Sequence, residues 1–162
     1  MIIKNEKSQY VDNTFITKII YSLRFQNEVE APPFTSKIAK NIITKINPSL
    51  EPLLKGKEPN KNFIFSLLYF DKKPLFSLKK LKLKAKIPYY FEFVYIGDFP
   101  EEFIGSWNID ILNTKADITT IYVKSSTFDK IGLTPSDYYL IEFKTPTLLQ
   151  IPSGRKDKNI YY

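Results

Sequence analysis

Pro32-Pro33-Phe34-Thr35-Ser36-Lys37-Ile38-Ala39-Lys40 is the stretch on which the fold turns. Two consecutive prolines cannot donate to a β-ladder, so extended pairing stops there. Thr35 or Ser36 then supplies an N-cap for a helix running to about Ile46, where Asn47-Pro48 ends it. On a helical wheel Ile38, Ala39, Ile42, Ile43 and Ile46 form one face, while Lys37, Lys40, Asn41 and Thr44 occupy the other. The helix packs by isoleucine and turns lysine to solvent. Upstream, Thr14 to Phe25 (TFITKIIYSLRF) is β-branched and aromatic with rough alternation, which predicts a first strand of a half-buried sheet.

Downstream, residues 48 to 61 read as a short helical passage through Leu50, Leu53 and Leu54 and then a polar loop, with Lys61 where that loop enters the next strand. Phe63 to Phe70 (FIFSLLYF) is nearly all apolar and predicts a central buried strand. Asp71-Lys72-Lys73-Pro74 makes a turn. Leu78 to Lys86 alternates Leu81, Leu83 and Ala85 with Lys80, Lys82, Lys84 and Lys86, so an extended conformation places four lysines on one face. That face is either an RNA track or an edge strand protected by charge. Tyr89 to Ile96 predicts another strand, and Asp98 is expected to cap a short helix to about Gly105 with Pro100 in its first turn. Asn108 to Leu112 and Asp117 to Lys124 read as a hairpin, Thr127 to Leu133 as a short helix and Tyr138 to Lys144 as the last strand. Trp107 is expected to be a core anchor. Taken in order this is an α+β chain, a ferredoxin-like or RRM-like βαββαβ sandwich with an inserted hairpin. One domain is expected over residues 1–151, with 152–162 a flexible tail or the start of an interdomain linker.

Composition narrows the function classes. There is no cysteine and no histidine, so disulfides and thiolate metal sites are impossible and the usual general base is missing. No metal site and no cofactor is expected. No apolar run approaches the roughly 20 residues of a membrane span, and Met1-Ile2-Ile3-Lys4-Asn5 lacks the apolar centre of a signal peptide. A cytoplasmic protein without a membrane partner is therefore expected. The net charge of +7 is unevenly spread: residues 35–90 hold 13 lysines against three acids, and the remainder is net negative. Such a segment attracts a polyanion through counterion release, which makes nucleic acid the leading partner over a merely solvated lysine surface.

The proline-capped basic helix, then Lys61-Asn62-Phe63-Ile64-Phe65-Ser66, then Thr145-Pro146-Thr147-Leu148-Leu149 resemble, in that order, the amino-terminal half of CRISPR repeat-processing endoribonucleases of the RAMP superfamily. The resemblance spans roughly residues 14 to 151. It implies RNA, the CRISPR repeat transcript, as partner. It also implies metal-independent cleavage in which the 2′-hydroxyl attacks the adjacent phosphate, leaving a 2′,3′-cyclic phosphate and a free 5′-hydroxyl. Such chemistry needs a proton taken from the 2′-hydroxyl, a proton given to the leaving 5′-oxygen, and positive charge on the phosphorane.

In the family a tyrosine, a histidine and a lysine often serve, and by the resemblance these positions fall at Lys40, near Leu54 or Lys55, and at Lys61. Relatives with Ser-Lys-x-x-Lys at the helix start resemble this chain closely, which makes Lys37, Lys40 and Lys61 the catalytic candidates. Lys61 would stabilise the phosphorane, and Lys37 or Lys40 would orient the scissile phosphate or give up a proton. Clustering would help by depressing a lysine pKa. Lys45, Lys55, Lys57, Lys80, Lys82, Lys84 and Lys86 are the RNA-binding candidates. Tyr69, Tyr89, Tyr90 and Tyr122 are weighed as base-stacking surfaces, with packing the expected role of each. The family carries a second ferredoxin-like domain with a glycine-rich loop; this chain has five glycines and no such loop. A second ferredoxin-like domain or partner protein is thus expected. The alternative is a noncatalytic, virus-encoded or host mimic of the domain that binds RNA or protein without cutting.

Overall fold

A computed structural model describes residues 15–55, 62–98 and 100–127. All belong to the first of the two units into which the chain divides, Met1–Gly132, while the second, Leu133–Tyr162, lies outside the described residues. So do the last strand expected at 138–144 and the helix expected at 127–133, apart from Thr127, which ends a strand.

The organising element is β1, Phe15–Phe25, in which every second side chain from Thr17 to Phe25 is buried. That alternation gives the sheet one packed face and one open face. β2 (Val29–Ala31) follows, then α1 (Ser36–Ile46), a 3-10 turn at Pro48–Leu50 and α2 (Glu51–Lys55). The remaining strands are β3 (Phe63–Phe65), β4 (Tyr69–Phe70), β5 (Lys73–Pro74), β6 (Leu81–Leu83), β7 (Tyr89–Ile96), β8 (Ser106–Ile111) and β9 (Thr114–Thr127). One antiparallel sheet runs β5-β4-β7-β1-β9-β8, with β3 also on β7; β2 and β6 form a separate ribbon. β1 therefore stands between β7 and β9, the antiparallel strand order of a ferredoxin-like α+β fold. Ile38, Ala39, Ile42 and Ile43 of α1 are buried on the packed face with Ile19, Tyr21, Leu23, Phe91, Phe93 and Ile118. Tyr21 stacks on Phe91 at 4.9 Å, and Phe93 meets Phe103 edge-on at 5.1 Å. Trp107 lies half-buried at the margin of this core, 6.3 Å from the Tyr21 ring.

Four local expectations are corrected. The 63–70 segment is not one central strand but two short ones on the outer side of β7. Ser66 breaks it: its hydroxyl accepts from the Glu92 amide at 2.7 Å in place of a backbone carbonyl, and one extra residue is accommodated before Tyr69 pairs with Tyr90. Leu78 to Lys86 is strand only at Leu81–Leu83, and Lys86 takes a left-handed φ of 61°. The short helix attributed to Asp98 is a 3-10 turn, Glu101–Phe103, capped by Pro100. Thr35 is the N-cap of α1 but makes no side-chain cap bond, because its hydroxyl is engaged elsewhere. The predicted hairpin is present as β8–β9, closed by Leu112 and Asn113 with φ of 52° and 60°. Among the described residues no helix is long and apolar enough to cross a membrane.

Candidate functional site

The helix-to-helix corner assembles first. The buried isoleucine face of α1 leaves Lys37, Asn41 and Lys45 exposed, a stripe stepping about 6 Å per four residues along the axis. Lys40 lies one position round from that stripe and is half-buried. Its Nζ donates to the carbonyl of Leu54 in α2 at 3.4 Å. That length marks a weak bond, since N–H···O contacts cluster near 2.9–3.0 Å. Asn47 organises the corner: its side chain accepts from the Ser49 amide at 3.0 Å, starting the turn that leads into α2. Lys40 and the end of α2, fourteen residues apart in sequence, thereby meet. These are the positions at which the resemblance locates the tyrosine and the histidine of related sites. Lys57 and Lys61 lie outside the described residues, and Lys55 is placed by its backbone alone, as the last residue of α2.

The second basic surface is the β2–β6 ribbon. Lys80, Lys82, Lys84 and Lys86 are all exposed while Leu83 is buried, as the alternation requires. The row is not uniformly free. Lys80 forms an ion pair with Glu30 at 3.0 Å, and Glu30 also faces Lys82 across the ribbon. The hydrogen bond from Lys80, with the charges of Lys80 and Lys82, holds the Glu30 carboxyl below the usual range. Lys84 is fixed by Tyr89: its amide donates to the phenol oxygen at 2.7 Å, and the phenol hydroxyl returns to its carbonyl at 3.3 Å. Tyr89 is therefore a buried packing residue, and burial raises its phenol pKa. On the open face of the sheet, by contrast, Lys18 is paired with Glu92 at 2.7 Å. Among the described residues Lys37, Lys45, Lys84 and Lys86 have no ion-pair partner.

A family model described as the Cas6 N-terminal domain matches residues 17–125, from β1 to the far end of β9. The chain belongs to the Cas6 N-terminal domain family. Domains of the Cas6 family bind CRISPR repeat RNA, and this chain is accordingly a CRISPR repeat-processing RNA-binding domain. No curated protein matches it. Within the Cas6-matched span, sequence reasoning named the α1 lysines as candidates and did not single out two exposed aromatics. Phe34 and Phe76 are 49% and 41% exposed and lie opposite each other across a lone antiparallel bridge just before α1. The available signal was Phe34 itself, an aromatic between two prolines and a helix cap, where no regular element can bury it.

Proposed function

We propose that this chain supplies the general acid–base and electrostatic lysines of a metal-independent CRISPR repeat endoribonuclease. The 2′-oxygen gives up its proton and attacks the scissile phosphorus, the P–O5′ bond breaks as the new bond forms, the leaving 5′-oxygen takes up a proton, and no water is consumed. Lys61 stabilises the phosphorane charge. Lys40 exchanges its weak contact with the Leu54 carbonyl for the phosphate or the moving proton, and Lys37 orients the phosphate from the exposed stripe. The observation that carries this reading is the meeting of Lys40 with the end of α2. Lys45, Lys55, Lys57, Lys82, Lys84 and Lys86 neutralise flanking phosphates, and Lys80 does so in competition with Glu30.

The reading includes a second ferredoxin-like domain, or a partner protein, that completes the grip on RNA. Ile64 and Tyr122, 59% and 48% exposed, offer it apolar surface. A noncatalytic RNA-binding module is the second reading, favoured by the absence of histidine from the chain. Labelled repeat RNA incubated in EDTA with the wild type, Lys40→Ala and Lys61→Ala separates the two. Cutting at one position that the variants lose supports the nuclease. Binding without cutting by the wild type supports the module.

A further inference from the structure

Phe34 and Phe76 are joined by an antiparallel bridge and are both exposed. Residues directly opposite in an antiparallel bridge point to the same side, so both benzyl groups leave one surface. Around them the Ser77 amide donates to the Pro33 carbonyl at 3.0 Å, and the Thr35 hydroxyl donates to the Leu75 carbonyl at 2.6 Å while accepting from the Leu68 amide at 2.8 Å. Between this bridge and the β2–β6 ribbon, the four residues 77–80 oppose only Pro32 and Pro33. The excess bows outward and leaves Leu78 98% exposed. Lys79 follows it, its amide anchored on the Ser77 hydroxyl at 3.1 Å, and Lys37 is the second residue of α1, its amide directed at the Phe34 carbonyl at 3.3 Å. The nearest carboxylate along the ribbon, Glu30, is occupied by Lys80.

Adjacent exposed apolar groups mark a contact surface, unlike scattered ones. The centre of a protein–protein interface is depleted of lysine, whereas aromatic faces beside lysines are the means by which single strands are held. We propose that Phe34 and Phe76 form a stacking platform for an unpaired base of the bound RNA, with Lys37 and Lys79 on the phosphates to either side. The proposal rests on the RNA-binding reading and adds to it a preference for single-stranded over paired RNA at the entrance to α1.

The test titrates the full chain, at one salt concentration, with a short fluorescein-labelled RNA single strand and with its blunt duplex, followed by anisotropy. Phe34→Leu/Phe76→Leu keeps apolar bulk but removes the π faces, and Phe34→Tyr/Phe76→Tyr keeps both. The leucine pair is expected to weaken single-strand binding by about 5- to 150-fold, the range that base–aromatic stacking supplies. Duplex binding should stay unchanged, and the tyrosine pair should bind as the wild type does. Wild-type affinity in the leucine pair overturns the platform, as does an equal loss on strand and duplex. So does a loss in the tyrosine pair matching that of the leucine pair. A wild type that binds neither probe overturns the RNA reading itself, and the platform with it.

Discussion

Two buried hydroxyls show how single residues fix the frame around the lysines. Thr35 is fully buried, and its hydroxyl links the start of α1 to the 68–75 segment by accepting from Leu68 and donating to Leu75. Thr35→Val keeps the shape but strips two buried backbone groups of this partner. It is expected to cost about 2–4 kcal/mol, while Thr35→Ser costs about 1 kcal/mol or less for the lost methyl; urea unfolding measures both. Tyr21 donates its phenol proton to the Phe103 carbonyl at 2.8 Å, and burial pushes its pKa far above the ordinary value of about 10. Above that pH the unfolded chain releases the proton and the folded chain does not, so the Tyr21 contribution is full below pH 10 and falls as pH rises beyond it. Tyr21→Phe should thus be less stable than the wild type by about 0.5–1.5 kcal/mol at neutral pH. The gap should close by about 1.4 kcal/mol per pH unit above 10, read from urea midpoints at neutral and alkaline pH.

Elements were legible where one periodicity ran uninterrupted. α1 has its apolar face where the isoleucine spacing puts it, and β7 begins and ends at the expected residues. Legibility failed where a single residue breaks the period. Ser66 splices its hydroxyl into the β7 ladder and sends Leu68 into the core, which hydrophobicity alone reads as a continuous strand. In β9 the register jumps so that Tyr122 faces Ile20 and Thr120 faces Tyr21, leaving Ile121 as an unpaired bulge and exchanging the inner and outer rows. The β4–β5 hairpin turns on Asp71 and Lys72, with φ of 47° and 61°. A left-handed lysine costs about 1 kcal/mol more than glycine there. Lys72→Gly, which gives the Asp-Gly pair this turn favours, is expected to raise the melting temperature by about 2–4 °C. Calorimetry or circular dichroism reads the shift.

At the scale of the whole molecule the lysines differ in whether a carboxylate neutralises them. Lys37 and Lys45 on α1, and Lys84 and Lys86 just past β6, stand exposed without acidic partners among the described residues, whereas Lys18 on the open sheet face is neutralised by Glu92. The candidate lysines were visible in the chain because charge is a property of residues. The junction of Lys40 with Leu54 was not visible from periodicity, because it depends on how two helices meet; only the resemblance placed those positions in one site. If RNA lies along α1, Lys37 and Lys45 displace condensed counterions from its phosphates. Each such contact with a single strand contributes about 0.7 to the slope of log affinity against log salt. Lys37→Gln/Lys45→Gln is therefore expected to flatten that slope by about 1.4. Lys115→Gln, an exposed change on the β8–β9 hairpin outside the basic segment, should leave it unaltered. Repeat-RNA titrations across a salt series decide the matter. Equal flattening by both variants would mean that the net charge of the molecule, and not the α1 surface, attracts the RNA.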